Sequence, residues 1–285
     1  MGNRTAVPST ELFPLAALNR LMGQVTRSPA LIHGYDVPAG SLVLRHEVAR
    51  RLMEAGCALN PNELIITNGA TEAMYLSLQA VTNPGDTVAI ESPTYYNLLE
   101  ILNALHLKAL ELPTHPQTGV SLTALESALQ QKQISACVLI PNFSNPLGSC
   151  MSEENKSAIA KMMAEYRVPL IEDDVYGELN FSGTRPRAIK AFDTEGWVIY
   201  CSSMSKILSP GLRVGWCASG RYQLKIEQLK MAMNLNTAPL PQLTIAAFLT
   251  NGGYDSPFGE ATPTTSTAIA PHVRATGRSD DSGDL

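Results

Sequence analysis

Short apolar runs rich in β-branched residues alternate along this chain with stretches whose apolar positions recur every three to four residues. The first pattern predicts buried strands at Leu64–Thr67, Thr87–Glu91, Leu107–Leu112, Ala136–Ile140, Val168–Ile171, Val198–Cys201 and Val214–Ala218. The second predicts helices, among them Leu15–Val25, Leu44–Ala55, Thr71–Val81, Asn97–Leu105, Leu122–Gln130 and Glu153–Tyr166. Ser152, followed by Glu153 and Glu154, has the character of a helix cap with acids in the first turn. Asn83-Pro84-Gly85-Asp86 marks a turn between a helix and the next strand. Strands alternating with helices belong in a mostly parallel sheet covered on both faces. The expected class is α/β: a three-layer α-β-α unit around a seven-stranded, mostly parallel sheet.

Both ends depart from this pattern. Residues 1–40 carry Pro8, Pro14, Pro29 and Pro38 and little periodicity beyond one short helix, and they read as an N-terminal arm and interface segment. Residues 41–254 form the expected large domain. From Ser256 the chain turns rich in Ser, Thr, Pro, Gly and Asp, with Phe258, Ile269, Val273 and Leu285 as its few large apolar side chains. Such a segment buries too little surface to offset the entropy of ordering it, so 255–285 is expected to be a disordered or aberrant tail. A C-terminal arm packed on a partner is the alternative.

Composition narrows the function classes. With 45% apolar and 16% charged positions among 285 residues, the chain can bury one large core or two modest ones. A formal net charge of −5 gives no general attraction to nucleic acid or to anionic membranes. No apolar stretch reaches membrane-spanning length, the N-terminus lacks a basic-then-apolar signal, and Ala6 spoils a myristoylation motif. Cys57, Cys137, Cys150, Cys201 and Cys217 show no C-x-x-C spacing, which predicts buried free thiols and a cytoplasmic protein.

Chemistry enters at Lys206. It sits in Ser203-Met204-Ser205-Lys206, seven residues before Arg213, between the apolar runs Trp197–Cys201 and Leu212–Trp216. An amine on a serine-lined turn near an arginine suits a phosphate-bearing aldehyde cofactor: the amine forms a Schiff base, and the hydroxyls and guanidinium hold the phosphate. The alternative is a solvated surface lysine, which the flanking strand patterns argue against. Glu172-Asp173-Asp174 ends another apolar run, where side chains emerge at a sheet's carboxyl edge. Three such acids also fit a metal site or a solvated turn, but no histidine stands at ligand spacing, so no metal is expected. Thr67-Asn68-Gly69-Ala70-Thr71 joins a strand to a helix whose N-terminus offers free N–H groups to an anion. Competing motifs fail: there is no G-x-G-x-x-G, Walker A loop or G-x-S-x-G elbow, and His46-Glu47-Val48-Ala49-Arg50 lacks the second histidine of a zinc-protease helix. His46 reads as a solvated helix residue.

The Ser203–Trp216 stretch resembles the pyridoxal-phosphate lysine region of the aspartate-aminotransferase-like superfamily, fold type I. Further motifs in family order extend the resemblance over about residues 8–254. It implies pyridoxal 5'-phosphate as cofactor, with Lys206 forming the Schiff base and moving protons at the substrate's α-carbon. The family's Asp-x-x-Tyr pattern falls on Asp173 and Tyr176, giving Asp173 the ring nitrogen and Tyr176 the ring's phenolic oxygen. Asn145, in Asn145-Pro146-Leu147-Gly148, resembles the residue that donates to the same oxygen. Tyr95, in Pro93-Thr94-Tyr95, takes the stacking role, with Tyr96 as core or substrate-side packing. Gly69, Ala70 and Thr71 fall on the phosphate cradle, which Ser203, Ser205 and Arg213 complete. Ala70 replaces a hydroxyl residue often found there. Tyr35, in Tyr35-Asp36-Val37-Pro38-Ala39-Gly40 ahead of Leu44-Arg45, resembles a tyrosine that reaches the neighbouring subunit's phosphate, implying a homodimer with shared active sites.

Within the superfamily, Thr10–Pro14, Ile171–Tyr176 and Ser203–Trp216 most resemble MocR-type proteins, GntR-like regulators with an aminotransferase-like effector domain. Nothing after Ser256 resembles the family's small C-terminal domain, which carries the arginine for the substrate's α-carboxylate, and residues 1–8 hold no basic winged helix. The expected function is amino-group transfer between an amino acid and a 2-oxo acid, with no nucleic-acid binding by this chain itself. The alternatives are a non-catalytic ligand-sensing module of a MocR-type regulator, or a truncated fragment of either.

Overall fold

The structure, a computed structural model, describes residues 8–180 and 183–252; the expected tail at 255–285 lies outside the described residues. Its strands are β1 (Leu64–Thr67), β2 (Thr87–Ser92), β3 (Lys108–His115), β4 (Gly119–Val120), β5 (Ala136–Leu139), β6 (Leu170–Asp173), β7 (Val198–Ser203) and β8 (Gly215–Ala218). They form one sheet in the order β1-β8-β7-β6-β5-β2-β3-β4. The run from β3 through β2, β5 and β6 to β7 is parallel, whereas β8 is antiparallel to both β7 and β1, and β4 to β3. Every position of β1, β5, β6, β7 and β8 is buried, as expected for strands covered on both sides.

The helices are α1 (Leu15–Val25), α2 (Pro29–Ile32), α3 (Leu42–Leu52), α4 (Ala70–Val81), α5 (Tyr96–Ala104), α6 (Leu122–Gln130), α7 (Glu153–Tyr166), α8 (Gln223–Asn234) and α9 (Pro239–Thr250). Strand alternation sorts the core into two faces. Ile65, Cys217, Ile199, Ile171, Val138 and Ile90 pack under α4, α5 and α8. Leu64, Ile66, Trp216 and Tyr200 face the other way, against α1, α3 and α9. Farther along that second face Leu139, Leu170 and Val198 meet α6 and α7. The result is the expected three-layer α-β-α unit.

The seven expected strands are all present, with ends that shift. β3 begins at Lys108 and runs on to His115, and β6 begins at Leu170 and reaches Asp173. The eighth strand, β4, has two residues that return against Thr114 and His115. Two residues are too short to establish an alternation, so the hydrophobic pattern carries no trace of it. The helix expected to run to Ala55 stops at Leu52 and tightens into a 3-10 turn that closes on Gly56 at φ 79°. Ser152 caps α7 by accepting from the Asn155 amide at 3.3 Å, and Asp86 N–H donates to the Asn83 carbonyl at 3.0 Å in the predicted turn. All five cysteines are free, and Cys150 alone of them is half-exposed rather than buried. No described helix is long and apolar enough to cross a membrane.

Candidate active site

The parallel strands end at one edge of the sheet, and the antiparallel β8 begins there. Register pairs Thr67 with Gly215 and Gly215 with Ser203, so the ends of β1 and β7 flank the start of β8. Asp173 ends β6 in the same row. Loops leaving this edge close a pocket of about 110 Å³ lined by Ala70, Thr71, Met74, Tyr95, Ile140, Asn145, Asp173, Val175, Tyr176, Ser203, Ser205, Lys206 and Arg213. Carboxyl edges of such sheets are where α/β proteins hold ligands.

Lys206 lies on the turn after β7. Its ammonium stands 5.8 Å from the centre of the Tyr176 ring. Burial lowers its pKa, Asp173 opposes that shift, and Arg213 adds to it. Asp173, 3% exposed, is pushed up to about 7. Burial is the main cause, with Asp174 raising it further, while the Val175 amide and Lys206 pull it down. An acid raised and an amine lowered at one pocket floor is an arrangement typical of sites that hold or move protons.

Successive strand residues face opposite sides, so Asp173 points away from Glu172 and Asp174, and those two have different partners. Glu172 accepts from the amides of Ile189 (2.7 Å) and Lys190 (2.8 Å) on the α7 side. Asp173 faces the pocket. Asp174 is 1% exposed and accepts from Asn142 Nδ2 (2.8 Å), Tyr200 Oη (2.8 Å) and Arg185 Nη2 (3.1 Å). Arg185 and Arg51 both pair with Glu178, which extends this buried network. The three acids thus form neither a metal site nor a solvated turn. Among the described residues no group of three His, Cys, Asp or Glu side chains is placed to hold a metal ion.

Opposite Asp173, Asn145 Nδ2 donates to Tyr176 Oη at 3.2 Å, so two residues expected to share one ligand atom already meet. Tyr95 immediately precedes α5 at the pocket wall and packs edge-on against Tyr96 at 5.1 Å. Tyr96 itself is 52% exposed, which excludes core packing, one of the two alternatives expected for it.

At the other end lies the N-terminus of α4. Gly69 precedes it at φ 83° and supplies no side-chain cap. A Cβ on Gly69 would stand 2.1 Å from Arg213 Nη2, and one on Gly215 would stand 2.5 Å from the Gly69 carbonyl carbon. Both positions need glycine for the helix start, β8 and the Arg213 side chain to converge. Arg213 donates to neutral oxygens: Ser205 Oγ (3.3 Å), the Pro210 carbonyl (3.3 Å) and the Asn68 carbonyl (3.1 Å). Its charge therefore remains available to an anion at the helix start.

Tyr35 is set apart from this assembly: it is 86% exposed and does not line its own chain's pocket. His46 is exposed on α3, as expected. The motifs do not mark Met74, Ile140 or Val175 as lining residues, although Met74 and Val175 lie within three residues of an expected one and Ile140 five before Asn145. They also miss the Asn142–Asp174–Arg185–Tyr200 network, whose members are scattered and belong to no local pattern.

Fold and pocket together define an α/β protein with a lysine–acid–arginine site at the carboxyl edge of its sheet. The chain belongs to the aminotransferase class I and II family, whose model matches residues 16–265. It is 42% identical over 253 residues to the HTH-type transcriptional regulator YdcR of Escherichia coli, covering 88% of this chain and 54% of that protein. It is 31% identical over 260 residues to aromatic-amino-acid aminotransferase 1 of Thermococcus litoralis, covering 87% of this chain and 61% of that one. The chain thus spans little more than half the length of these curated relatives. Among solved structures it superposes on LysN, the α-aminoadipate aminotransferase of Thermus thermophilus complexed with N-(5'-phosphopyridoxyl)-L-leucine. The TM-score is 0.82 at 28% identity, covering 90% of this chain and 65% of that one. Kynurenine aminotransferase of Pyrococcus horikoshii gives a TM-score of 0.83 at 28% identity, with the same coverage.

Proposed function

We propose that this chain binds pyridoxal 5'-phosphate and transfers an amino group between an amino acid and a 2-oxo acid. The observation that carries the proposal is the convergence of Lys206, Asp173 and Arg213 on one pocket with the uncapped start of α4. The residues fit the cofactor on three counts. Gly69 and Gly215 keep the cradle free of side chains, Asp173 is a buried acid at the pocket wall, and Asn145 and Tyr176 already converge.

When bound, the cofactor supplies an electron sink for the bonds at the substrate's α-carbon. The chain supplies the rest. Asp173 keeps the ring nitrogen protonated, Asn145 and Tyr176 hold the phenolic oxygen, and Tyr95 covers the ring face. Thr71, Ser203, Ser205, Arg213 and the Gly69–Ala70 backbone hold the phosphate. Lys206 Nζ, its pKa lowered by burial, is the covalent anchor and takes and returns the proton at the α-carbon. Tyr35, exposed on its own chain, reaches the phosphate of a second copy in a homodimer.

A second reading has its own support, since YdcR and YjiR of Escherichia coli, at 42% and 41% identity, are named as uncharacterized HTH-type transcriptional regulators. In it the same pocket binds cofactor and amino acid as a signal without turnover. Single-turnover conversion of amino acid to 2-oxo acid by the cofactor-loaded chain, absent in Lys206→Ala, supports the transferase. Saturable amino-acid binding with no 2-oxo acid formed supports the sensor. A chain that binds no pyridoxal phosphate contradicts both.

A further inference from the structure

Beneath the Arg213 end of the pocket, hydrogen bonds run to a lysine far from the site. Lys230, near the end of α8, is fully buried and donates to Thr237 Oγ1 (2.9 Å) and Asn234 Oδ1 (3.2 Å). Thr237 in turn donates to the Ile66 carbonyl on β1 at 3.2 Å. Asn234 Nδ2 donates to one carboxylate oxygen of Glu72, in the first turn of α4. The other oxygen of Glu72 accepts from the Asn68 backbone N–H and from Asn68 Nδ2 (3.0 Å). The Asn68 carbonyl receives Arg213 Nη2 at 3.1 Å. Asn68 is thereby held on both of its peptide planes, one by Glu72 and one by Arg213.

A carboxylate at the helix start that should receive a phosphate is at first sight misplaced, because like charges repel. The geometry resolves this: both Glu72 oxygens are engaged away from the cradle, and the Lys230 ammonium lies one side chain behind them. We propose, building on the cofactor reading above, that Glu72 is a positioning residue of the phosphate cradle. It fixes Asn68 so that the Asn68 carbonyl holds Arg213 toward the anion, and Lys230, through Asn234, fixes Glu72 and offsets its charge.

The test compares pyridoxal 5'-phosphate with pyridoxal, which lacks the phosphate, by fluorescence titration of the parent chain and of Glu72→Ala. Loss of one charge-assisted anchor predicts roughly tenfold weaker binding of the phosphate form, with pyridoxal changed less than about twofold. The inhibition constant of inorganic phosphate, taken from competition after correction for each protein's own cofactor affinity, should also rise about tenfold in the variant. Asn234→Ala, which leaves Glu72 in place but unsupported, should shift the same ratio in the same direction by about threefold, and it serves if Glu72→Ala does not fold. Equal losses for both ligands would mean a merely structural role and overturn the inference, as would an unchanged ratio in either folded variant. A parent chain with no preference for the phosphate form would overturn the cofactor reading, and this inference with it.

Discussion

The two ends of the Lys206 pocket are made differently. At one end Asp173 is 3% exposed, on a strand buried at every position, with Asp174 beside it tied into the Asn142, Tyr200 and Arg185 network. At the other end Thr71 and Arg213 are exposed, and the site is shaped by backbone: an uncapped helix start and two glycines where no Cβ fits. The first end has a rigid, low-dielectric wall that shifts pKa values. The second is an open anion seat whose side chains need to be aimed. On the proposed reading the buried end governs the rate and the open end governs affinity.

The sharpest way to break that division is Asp173→Asn. It should leave pyridoxal phosphate bound while slowing the amino-acid half-reaction by about 10²–10⁴-fold, measured by stopped-flow absorbance. An unchanged rate would remove the ring nitrogen from the buried end.

The same variant tests the electrostatics without cofactor. The Asp173 pKa rises from 3.8 to about 7 on folding, so the folded chain binds this proton more tightly than the unfolded chain. Stability from this group is fully present below about pH 4 and is lost as pH rises through about 7. Asp173→Asn should therefore be more stable than the parent at pH 8, by on the order of a few kcal/mol, with the difference fading toward pH 4. Urea denaturation of the cofactor-free proteins at the two pH values checks this; a difference that does not depend on pH would contradict it.

At the open end, Arg213→Ala should weaken pyridoxal phosphate by roughly 10- to 100-fold and pyridoxal hardly at all. The smallest effect concerns Ala70, which lines the pocket at the start of α4. Ala70→Ser should tighten the phosphate form by about two- to fivefold, as one added neutral hydrogen bond would. Weaker binding would show that no room exists for the hydroxyl.

The buried end was also the less legible one in the sequence. Strands and helices could be read because both-face burial leaves continuous apolar runs, as at Val198–Cys201, and because Ser152 and Gly85 carry local turn chemistry. Lys206, Asp173, Tyr176, Asn145 and Arg213 were found because each lies in a short motif. Asp174 was ambiguous within a run of three acids, because the alternation that sets Asp173 apart from Glu172 and Asp174 needs the strand end to be known to the residue. Its partners Arg185 and Tyr200 are 11 and 26 residues away, and no local spacing joins them. The Glu72–Asn234 contact, 162 residues apart in sequence, was hidden for the same reason, whereas β4 was hidden by its two-residue length. Tyr35 shows the reverse case: a motif singled it out, and the single chain offers its side chain only solvent.

The central claim is that both ends belong to one pyridoxal phosphate pocket anchored at Lys206. Incubating the chain with one equivalent of the cofactor, reducing with borohydride and mapping the label by peptide mass spectrometry tests it most directly. The account predicts near-stoichiometric label on the peptide carrying Lys206, and no fixed label at that pocket in Lys206→Ala. Label spread over exposed lysines such as Lys108 and Lys132, with equal amounts in the parent and in Lys206→Ala, would contradict it.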